Sequence, residues 1–369
     1  MINRNTNKAL YKQIYEHLRK DILEETYKSS ELLPSERELC EKFKVDRITV
    51  RKSLDLLVED GLVMKKAGLG TIVKDLPLHR NIPSGSKNIL FILPKSPNSV
   101  DRITESFNSS LFYRIENECK KSGYSLIYST AGNDDDYAKV SNGNNISGLI
   151  LVSKIHDKLL DEIKRTQIPA VVVNNYSKEF TSIVSDNEKG AYDAVKHFLE
   201  SGHERIGILL GTDGYLTTEE RFNGYKKALS ESNIDWKCQS IFKGQWTFES
   251  GFRAMKEMLK DTNPHPTAIF VSNDTTAIGA IEAAKEEGCS IPGDISVIGF
   301  DNIEQCDYVH PKLTSVAVDI DLMARAACQQ LFDQIETGVS LTLKIVTPTK
   351  LVIRESVMKL LNNVTVPHL

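Results

Sequence analysis

The sequence predicts an α/β protein that consists of a small N-terminal domain and a much larger region of alternating strands and helices. Two observations support this prediction. Residues 34–73 combine two short helices, a tight turn and a basic hairpin, and from residue 88 onward short apolar runs alternate with helical patterns. With 369 residues, 40% of them hydrophobic, the chain is long enough for two or three domains with substantial cores.

The N-terminal segment begins with a helix whose start is well marked. Pro34 and Ser35 open it, and Glu38 stands where it completes a capping box with Ser35. Asp46 is predicted to cap a second helix after a tight turn. Four apolar residues of that second helix recur at helical spacing and are expected to face inward: Val50, Leu54, Leu57 and Val58.

A basic hairpin follows the second helix. Gly61 is placed to end the helix, and short strands over residues 62–64 and 71–73 are joined through residues 65–70. Gly68 and Gly70 let the hairpin turn and bring its backbone close to a phosphate or a minor groove, and Lys65 and Lys66 are expected to contact phosphates. The order of helix, turn, helix and hairpin predicts a winged helix-turn-helix.

The second helix has the side chains needed to bind double-stranded DNA. Arg47 and Arg51, four residues apart, are expected on one exposed ridge, where an arginine fork matches the O6 and N7 acceptors of guanine. Thr49 is expected to add a phosphate or base contact. The alternative interpretation is a small helical hairpin with a solvated charged face.

Several sequence motifs in this domain resemble those of a known family. PSERELCEKF, VDRITVRKSL, EDGLV and GLGT resemble the winged-helix domain of GntR-type bacterial regulators over about residues 10–73. The resemblance implies DNA contacts from Arg37, Arg47, Thr49 and Arg51. Asp46 stands where the family more often has serine.

Charge and hydropathy limit the partners of the chain. Residues 1–76 contain 15 Lys and Arg against 13 Asp and Glu, which is a net charge of +2, and the remaining 31 against 37 give −6. The acidic remainder is expected to stay off DNA. No stretch approaches the roughly twenty apolar residues of a membrane span, and the polar start is no secretory signal. We therefore expect a cytoplasmic protein without a membrane partner.

Common catalytic and metal-binding patterns are missing from the sequence. The six cysteines include no C-x-x-C pair, so reduced thiols are expected, and the eight histidines show no metal-ligand spacing. The sequence also lacks a phosphate-binding loop of the Walker type and a G-x-S-x-G elbow. It therefore predicts a protein that is not an enzyme, with no catalytic residues, no metal and no cofactor.

A change of composition marks the domain boundaries. The segment KDLPLHRNIPSGSK contains prolines, glycine and serines with almost no apolar periodicity, so we predict a DNA-binding domain over residues 1–75, a linker over 76–87 and a second domain over 88–369. The predicted strands are Asn88–Leu93, Ser125–Tyr128, Gly148–Val152, Ala170–Val173, Arg205–Leu210, Ala268–Val271 and Ser296–Phe300. The predicted helices are Leu111–Lys121, Glu188–Glu200, Glu219–Ser230, Phe248–Leu259 and Thr275–Glu287. This alternation predicts parallel sheets, and its length favours two α/β lobes.

Polar and aromatic side chains stand near the ends of several predicted strands, where ligands bind in parallel α/β sheets. The candidates are Ser153, Lys154, Asn174, Asn175, Arg221, Trp246, Asn273, Asp274, Asp301 and Asn302. An indole that stacks on C–H groups, together with carboxylates, amides and an arginine fork, is what a neutral sugar requires. Each residue taken alone is equally compatible with a cap or a turn.

The same region resembles a second family. The words SDNEKGAYDAVKHFLESGHERIGILLG, ERFNGYKKAL, GQWTFESGFRAM, PTAIFVSNDTTAIGAIEAAKEEG and IPGDISVIGFDN resemble, in order, the effector domain of LacI/GalR-type repressors, which is similar to the type I periplasmic sugar-binding proteins. The resemblance covers about residues 88–356. It implies a two-lobed domain whose inducer cleft is lined by Arg221, Trp246, Asn273 and Asp301.

Two segments depart from the family pattern. The segment after the first strand, FILPKSPNSVDRITESF, differs from the usual sequence motif of the family. Ser96 and its neighbours would be ligands at this place. AGNDDDYAKVSNGNNISGL is shorter than usual, so we expect a truncated helix there. Because that helix often helps the dimer to pack, the usual dimer interface is expected to be altered.

The combination of the two domains resembles arabinose-responsive repressors of the AraR kind. It implies a homodimeric transcriptional repressor that binds palindromic double-stranded operator DNA and is released by a small sugar, with L-arabinose or another pentose favoured. One alternative is a regulator that responds to a nucleotide or a phosphorylated sugar. The other is a cytoplasmic sugar-processing enzyme, which would need a base and a nucleophile in the cleft.

Overall fold

The computed structural model describes residues 9–23, 26–28, 31–60, 62–66, 70–73, 87–96, 101–262 and 264–360. Three features predicted from the sequence lie wholly or largely outside these residues. They are Gly61 at the end of the second predicted helix, Gly68 in the hairpin, and the linker, of which only Lys87 is described.

The N-terminal domain has three helices and a two-stranded hairpin. Its elements are α1 (Leu10–Leu23), α2 (Glu36–Phe43), α3 (Arg47–Glu59), β1 (Val63–Lys66) and β2 (Gly70–Val73). The strands are antiparallel, with Val63 opposite Val73 and Lys66 opposite Gly70. Ile14 and Leu18 of α1 pack in one core with Leu54 of α3, so the three helices and the hairpin form a winged helix-turn-helix.

Both predicted helix caps are confirmed. The Ser35 side chain accepts a hydrogen bond from the Glu38 backbone N–H, and the Glu38 side chain accepts from the Ser35 backbone N–H. The Asp46 side chain accepts from the Thr49 backbone N–H at 2.7 Å and begins α3. The turn between the helices is closed by Lys44 in the left-handed conformation, with φ of 52°.

Two details of the predicted domain are wrong. Val58 was expected to face inward but is 36% exposed. Eight residues after the buried Val50 it lies about 80° farther around the helix, on the flank of the core. Lys65 and Lys66 were placed in the connection, but they belong to β1, because strand pairing continues as far as Lys66 opposite Gly70.

The second domain continues with alternating strands and helices. Its first part comprises β3 (Asn88–Pro94), α4 (Ser106–Lys121), β4 (Ser125–Ala131), α5 (Tyr137–Ser141), β5 (Gly148–Val152), α6 (Asp157–Thr166), β6 (Ala170–Val173) and β7 (Thr181–Ser185). Its second part comprises α7 (Asn187–Glu200), β8 (Ile206–Leu210), α8 (Leu216–Glu231), β9 (Ile241–Lys243), α9 (Phe248–Asp261), β10 (Ala268–Val271), α10 (Asp274–Glu286), β11 (Ser296–Asp301) and β12 (Thr314–Val318). It ends with α11 (Ile320–Thr337), β13 (Lys344–Thr347) and β14 (Thr349–Val352).

These elements form two lobes, each built on a six-stranded sheet. The strand order is β13-β7-β6-β5-β3-β4 in lobe 1 and β14-β12-β11-β10-β8-β9 in lobe 2. Neighbouring strands are parallel, except that β14 runs antiparallel to β12. The chain passes between the lobes three times, at residues 185–187, 318–320 and 347–349. Such an arrangement leaves a cleft between the carboxyl ends of the two sheets.

The expected truncation in lobe 1 is confirmed. Helix α5 has only five residues, Tyr137–Ser141, and ends at Asn142 in the left-handed conformation. Two placements in lobe 2 need correction. Arg221 does not open a helix but lies in the second turn of α8, and Asp301 is the last residue of β11 rather than the first residue after it.

Candidate functional site

The residues predicted to contact DNA lie on α2, α3 and β1. Arg47 and Arg51 are both exposed, and their Nε atoms donate to the carboxylate of Glu36 at 2.5 Å and 3.0 Å. These bonds hold the pKa of the Glu36 carboxyl below its usual value, with the bond from Arg47 as the largest cause. Exposed ion pairs are weak, so a guanine edge or a phosphate can replace Glu36 as their partner.

A groove beside α3 gathers most of the predicted cations on one face. Its basic lining residues are Arg37, Lys42, Arg47, Arg51, Lys65 and Lys66. Gly70 also lines it, whereas Thr49 is half-buried at the start of α3 and does not. Arg37 pairs with Glu41 at 3.2 Å and Lys65 with Asp55 at 2.5 Å. The six basic residues outnumber the three glutamates of the lining, Glu31, Glu36 and Glu38, so the face has a net positive charge, as binding to a phosphate backbone requires.

The second candidate site is the cleft between the lobes, which encloses about 540 Å³ of empty space including its open mouth. All five residues predicted to bind the effector line it: Ser153, Arg221, Trp246, Asn273 and Asp301. Ser96, offered as a possible ligand, is not among the lining residues.

Arg221 lies at the centre of the cleft floor and is only 4% exposed. Its Nε donates to Asn187 Oδ1 at 3.0 Å, one Nη donates to the Ser272 carbonyl, and the other donates to Asp301 Oδ1 at 3.2 Å. The guanidinium also lies 3.7 Å from the centre of the Phe300 ring. These bonds use three of the five N–H groups of an arginine and fix the plane of the fork.

Backbone geometry places polar side chains in the cleft. Ser153, Asn174 and Asp301 line it from the ends of β5, β6 and β11, and they have φ angles of 66°, 59° and 102°. Non-glycine residues adopt such angles at a cost of about 1 to 3 kcal/mol each, and they are concentrated at functional sites. Strained residues at three strand ends therefore mark this cleft as a site shaped for binding.

Trp246 and Asn273 are linked to each other. Asn273 caps α10 by accepting from Thr276 at 3.1 Å, and its Nδ2 donates to the Trp246 carbonyl at 3.3 Å. The Trp246 ring packs against Gly211, where an added Cβ would lie 2.0 Å from the indole. Asn273 thus holds the loop of Trp246 in place, and Gly211 leaves room for the ring.

The wall contributed by lobe 1 includes two charged residues that the sequence interpretation missed. Arg102 and Glu105 line the cleft and pair with each other at 3.1 Å. Asn108 donates to the same Glu105 carboxylate at 2.8 Å, and the Arg102 guanidinium lies 5.9 Å from the Tyr215 ring of lobe 2. In the sequence the only signal was an Arg–Glu pair three residues apart just before α4. The cleft therefore has a carboxylate on each lobe.

Lys154 points across the mouth of the cleft rather than into it. Its Nζ donates to the carbonyl of Gly214, in the loop after β8, at 2.9 Å. Lys154 belongs to lobe 1 and Gly214 to lobe 2, so this bond joins the two lobes. The structure therefore has the lobes in contact at the cleft mouth.

Two buried carboxyl groups lie together in lobe 2, Asp301 in the lining of the cleft and Asp274 outside that lining. Burial, and then the charge of Asp301, raise the pKa of Asp274 to about 7. Asp274 accepts from Ser315 Oγ at 2.6 Å and from the Ile303 backbone N–H at 2.9 Å. Burial also raises the pKa of Asp301 to about 6, against the opposing effect of Arg221.

This pair predicts a pH-dependent stability of lobe 2. An acid with a raised pKa contributes most to stability below its unfolded value of about 3.9 and loses that contribution as the pH rises through its folded value. The free energy of unfolding of the wild type, relative to Asp274→Asn, should therefore fall by about 2 to 4 kcal/mol between pH 4 and pH 7. Urea unfolding followed by tryptophan fluorescence measures this, because both tryptophans, Trp236 and Trp246, lie in lobe 2. A pH-independent difference between the two proteins would refute it.

Three further findings bear on the type of protein. No group of three or more His, Cys, Asp or Glu residues is placed to hold a metal ion in the described part of the chain. All six cysteines are free thiols. Among the helices of the described ranges, none is both long and apolar enough to cross a membrane.

Family models match both domains. The model described as "Bacterial regulatory proteins, gntR family" matches residues 10–73, and the model described as "Periplasmic binding protein-like domain" matches residues 195–357. The first range contains α1 to β2. The second contains most of lobe 2 and the returning elements of lobe 1.

Curated relatives are bacterial repressors. The chain is 37% identical over 217 residues to the probable HTH-type transcriptional repressor ExuR of Bacillus subtilis. The aligned region covers 58% of this chain and 65% of that protein. It is 32% identical over 268 residues to the HTH-type transcriptional repressor CytR of Escherichia coli. Here the aligned region covers 70% of this chain and 76% of that protein.

Solved structures of similar fold are LacI family regulators. A LacI family transcriptional regulator from Enterococcus faecium, solved with bound ribose, is 27% identical with a TM-score of 0.67 and covers 74% of this chain and 100% of its own. A transcription regulator from Lactobacillus plantarum is 29% identical with a TM-score of 0.63, and the coverage is again 74% and 100%. From these matches, the chain belongs to the GntR/LacI-type transcriptional repressors, which are DNA-binding regulators and not enzymes.

Proposed function

We propose that this protein is a homodimeric repressor of carbohydrate-utilisation genes that acts in the cytoplasm and is released from a palindromic operator by a neutral sugar. The observation that supports this most directly is the cleft between the lobes. It combines a fixed guanidinium, Arg221, a carboxylate from each lobe, Glu105 and Asp301, and an indole, Trp246. The covalently joined winged domain supplies the DNA-reading face.

The chemistry of the cleft suits a polyhydroxylated ligand. Asp301 and Glu105 accept hydrogen bonds from hydroxyl groups, and the remaining N–H groups of Arg221 donate to ring or hydroxyl oxygens. The Trp246 ring offers an apolar face for the C–H groups of a sugar. A ligand held in this way bonds to both lobes at once and favours their closed arrangement.

The charges of the described lining disfavour a phosphorylated ligand. Both guanidiniums of the cleft, Arg102 and Arg221, are paired with carboxylates, at 3.1 Å and 3.2 Å. The ammonium group of Lys154 bonds to a carbonyl across the cleft mouth. The first residues of α4, α8 and α10 do line the cleft, but a phosphate would have to break an existing ion pair or hydrogen bond to gain a cationic partner among these three groups. We therefore place a neutral sugar ahead of a nucleotide or sugar phosphate.

A pentose is the favoured class, with L-arabinose as the leading candidate. The Enterococcus faecium regulator that resembles this effector domain was solved with ribose, a pentose.

A polar network connects the cleft floor to the crossings between the lobes. Arg221 bonds to Asn187, the first residue of α7 after the crossing at residues 185–187. The Asn187 Nδ2 donates to Glu220 at 2.9 Å, and Glu220 pairs with Lys344 of β13 in lobe 1 at 3.4 Å. A ligand on Arg221 thus acts on groups that join the lobes, and by linkage the DNA weakens sugar binding as much as the sugar weakens DNA binding.

A thermal-shift screen tests the ligand class. The purified full chain is melted with pentoses, hexoses and sugar phosphates at matched ionic strength. A ligand that binds the folded state raises the melting temperature by mass action, and we expect a neutral pentose to give the largest rise. A rise only with phosphorylated ligands would overturn the neutral-sugar proposal.

The carboxylate of lobe 1 gives a first mutational prediction. Glu105→Gln removes an acceptor and leaves Arg102 unpaired in the cleft, so sugar affinity should fall roughly tenfold. Operator binding without sugar should be unchanged. Glu116→Gln, in helix α4, which begins directly after Glu105, is the matched control, because Glu116 pairs with Lys120 and does not line the cleft. Titration calorimetry compares the three proteins, and wild-type affinity in Glu105→Gln would remove Glu105 from the site.

The assembly gives a second prediction. A palindromic site is bound by two copies related by a two-fold axis, so the full chain should sediment as a dimer with twice the 41.4 kDa mass of one chain. We expect the contact to lie between effector domains, and we expect the usual interface to be altered because α5 has only five residues. Sedimentation velocity at micromolar concentration measures the mass, and a strict monomer with and without operator DNA would contradict the dimer.

A further inference from the structure

Ile48 is unusually exposed for an isoleucine. It leaves 70% of its surface in solvent, more than any other large apolar residue in the part of the chain that the structure describes. Ile48 does not stabilise the folded chain at this position, because a β-branched residue has a lower helix propensity than the straight-chain residues that usually cover a helix surface. Its exposure leaves the whole side chain available to a partner outside the folded chain.

The position of Ile48 on the helix is the one that enters DNA first. It is the second residue of α3, whose N-terminal end lies in the major groove in helix-turn-helix proteins. The buried Val50 follows two residues later, which places the Ile48 side chain about 200° away around the helix axis, on the side opposite the core.

The neighbouring arginines do not cover Ile48. Both Arg47 and Arg51 have their Nε atoms on Glu36 of α2, at 2.5 Å and 3.0 Å. Their guanidiniums are therefore drawn toward α2 along one flank of α3. The side chain of Ile48 therefore lies at the outermost point of the first turn of α3.

An isoleucine has no hydrogen-bonding group, so it cannot read the donor and acceptor pattern of a base edge. The C5-methyl group of thymine is the apolar group that a base pair presents in the major groove. We propose that Ile48 contacts the C5-methyl of one thymine in each operator half-site and selects a T·A pair at that position. This inference rests on the proposed function as an operator-binding repressor.

The test uses uracil, which pairs like thymine but lacks the methyl group. The full wild-type chain first enriches its operator from a random duplex library, and each thymine of that operator is then replaced by deoxyuridine in turn. At one symmetry-related position, the replacement in a single half-site should weaken wild-type binding about fourfold, which corresponds to about 0.8 kcal/mol for one methyl group. Ile48→Ala should bind the thymine operator more weakly and show no further loss with uracil at that position.

Val58→Ala is the matched control, because Val58 is also an exposed apolar residue of α3 but lies near its other end. This variant should keep the wild-type response to uracil. The inference is overturned if wild type tolerates uracil at every position, or if Ile48→Ala retains the uracil penalty. If no duplex is enriched, the proposed function and the Ile48 inference both fall, whereas tolerance of uracil in an enriched operator overturns only the latter.

Discussion

Replacing Arg221 or Asp301 by alanine is expected to give a repressor that still binds operator DNA but is no longer released by sugar at normal concentrations. Each change leaves its former partner and the sugar hydroxyls unpaired in a desolvated cleft, at a cost of about 1 to 3 kcal/mol or more. Sugar affinity should fall by ten- to a hundredfold or beyond. Calorimetry with the identified sugar, together with an operator gel shift, measures both properties.

Two further variants separate this effect from a general loss of folding. Asp301→Asn keeps the shape of the side chain but removes its charge, so it should weaken sugar binding with a smaller change in melting temperature. Arg253→Ala removes an exposed arginine of α9 in the same lobe and should leave sugar affinity unchanged. Unchanged sugar affinity in both Arg221→Ala and Asp301→Ala would mean that the ligand binds elsewhere.

Arg51→Ala is expected to weaken operator binding and to relax its specificity. An arginine that bonds a guanine edge contributes about 1 to 3 kcal/mol of discrimination, and the same holds for Arg47. In this structure both guanidiniums lie on the half-buried Glu36, so they must exchange its carboxylate for the base. Sugar binding by the variant should be unchanged.

Lys65→Ala provides the comparison for this experiment. Lys65 is expected to contact phosphate, so its loss should weaken binding to all sequences alike and reduce the salt slope by about one. Anisotropy titrations with operator and scrambled duplexes at several salt concentrations distinguish the two effects. Wild-type affinity and specificity in Arg51→Ala at fixed salt would show that the recognition helix is misplaced.

The fold was predictable where local signals were strong. The Ser35–Glu38 capping box and the Asp46 cap rest on contacts within one turn, and both are present. Strand β7 (Thr181–Ser185) escaped prediction because its residues are largely polar, although all five are buried between its neighbours. Helix α11 was also not predicted, and small residues such as Ala324 and Ala327 form part of its buried face.

One topological rule predicted much of the lining of the cleft. The prediction was incomplete for a physical reason. Because ligands bind beyond the carboxyl ends of parallel strands, Ser153, Asn273 and Asp301 were identified from their places near strand ends. Arg102 and Glu105 lie in and just after a short 3-10 turn, and charged residues at such a turn look like ordinary surface. Only the tertiary structure brings them opposite Asp301 across the cleft.

A sugar bound in the cleft is expected to release the operator, and one titration tests this directly. A labelled operator duplex is bound by wild type or by Asp301→Asn at fixed salt, and the sugar identified by thermal shift is added while anisotropy is followed. We predict release of wild type near the sugar dissociation constant, and release of Asp301→Asn only at concentrations at least about tenfold higher. Release of both proteins at the same concentration, or no release of wild type, would contradict the claim.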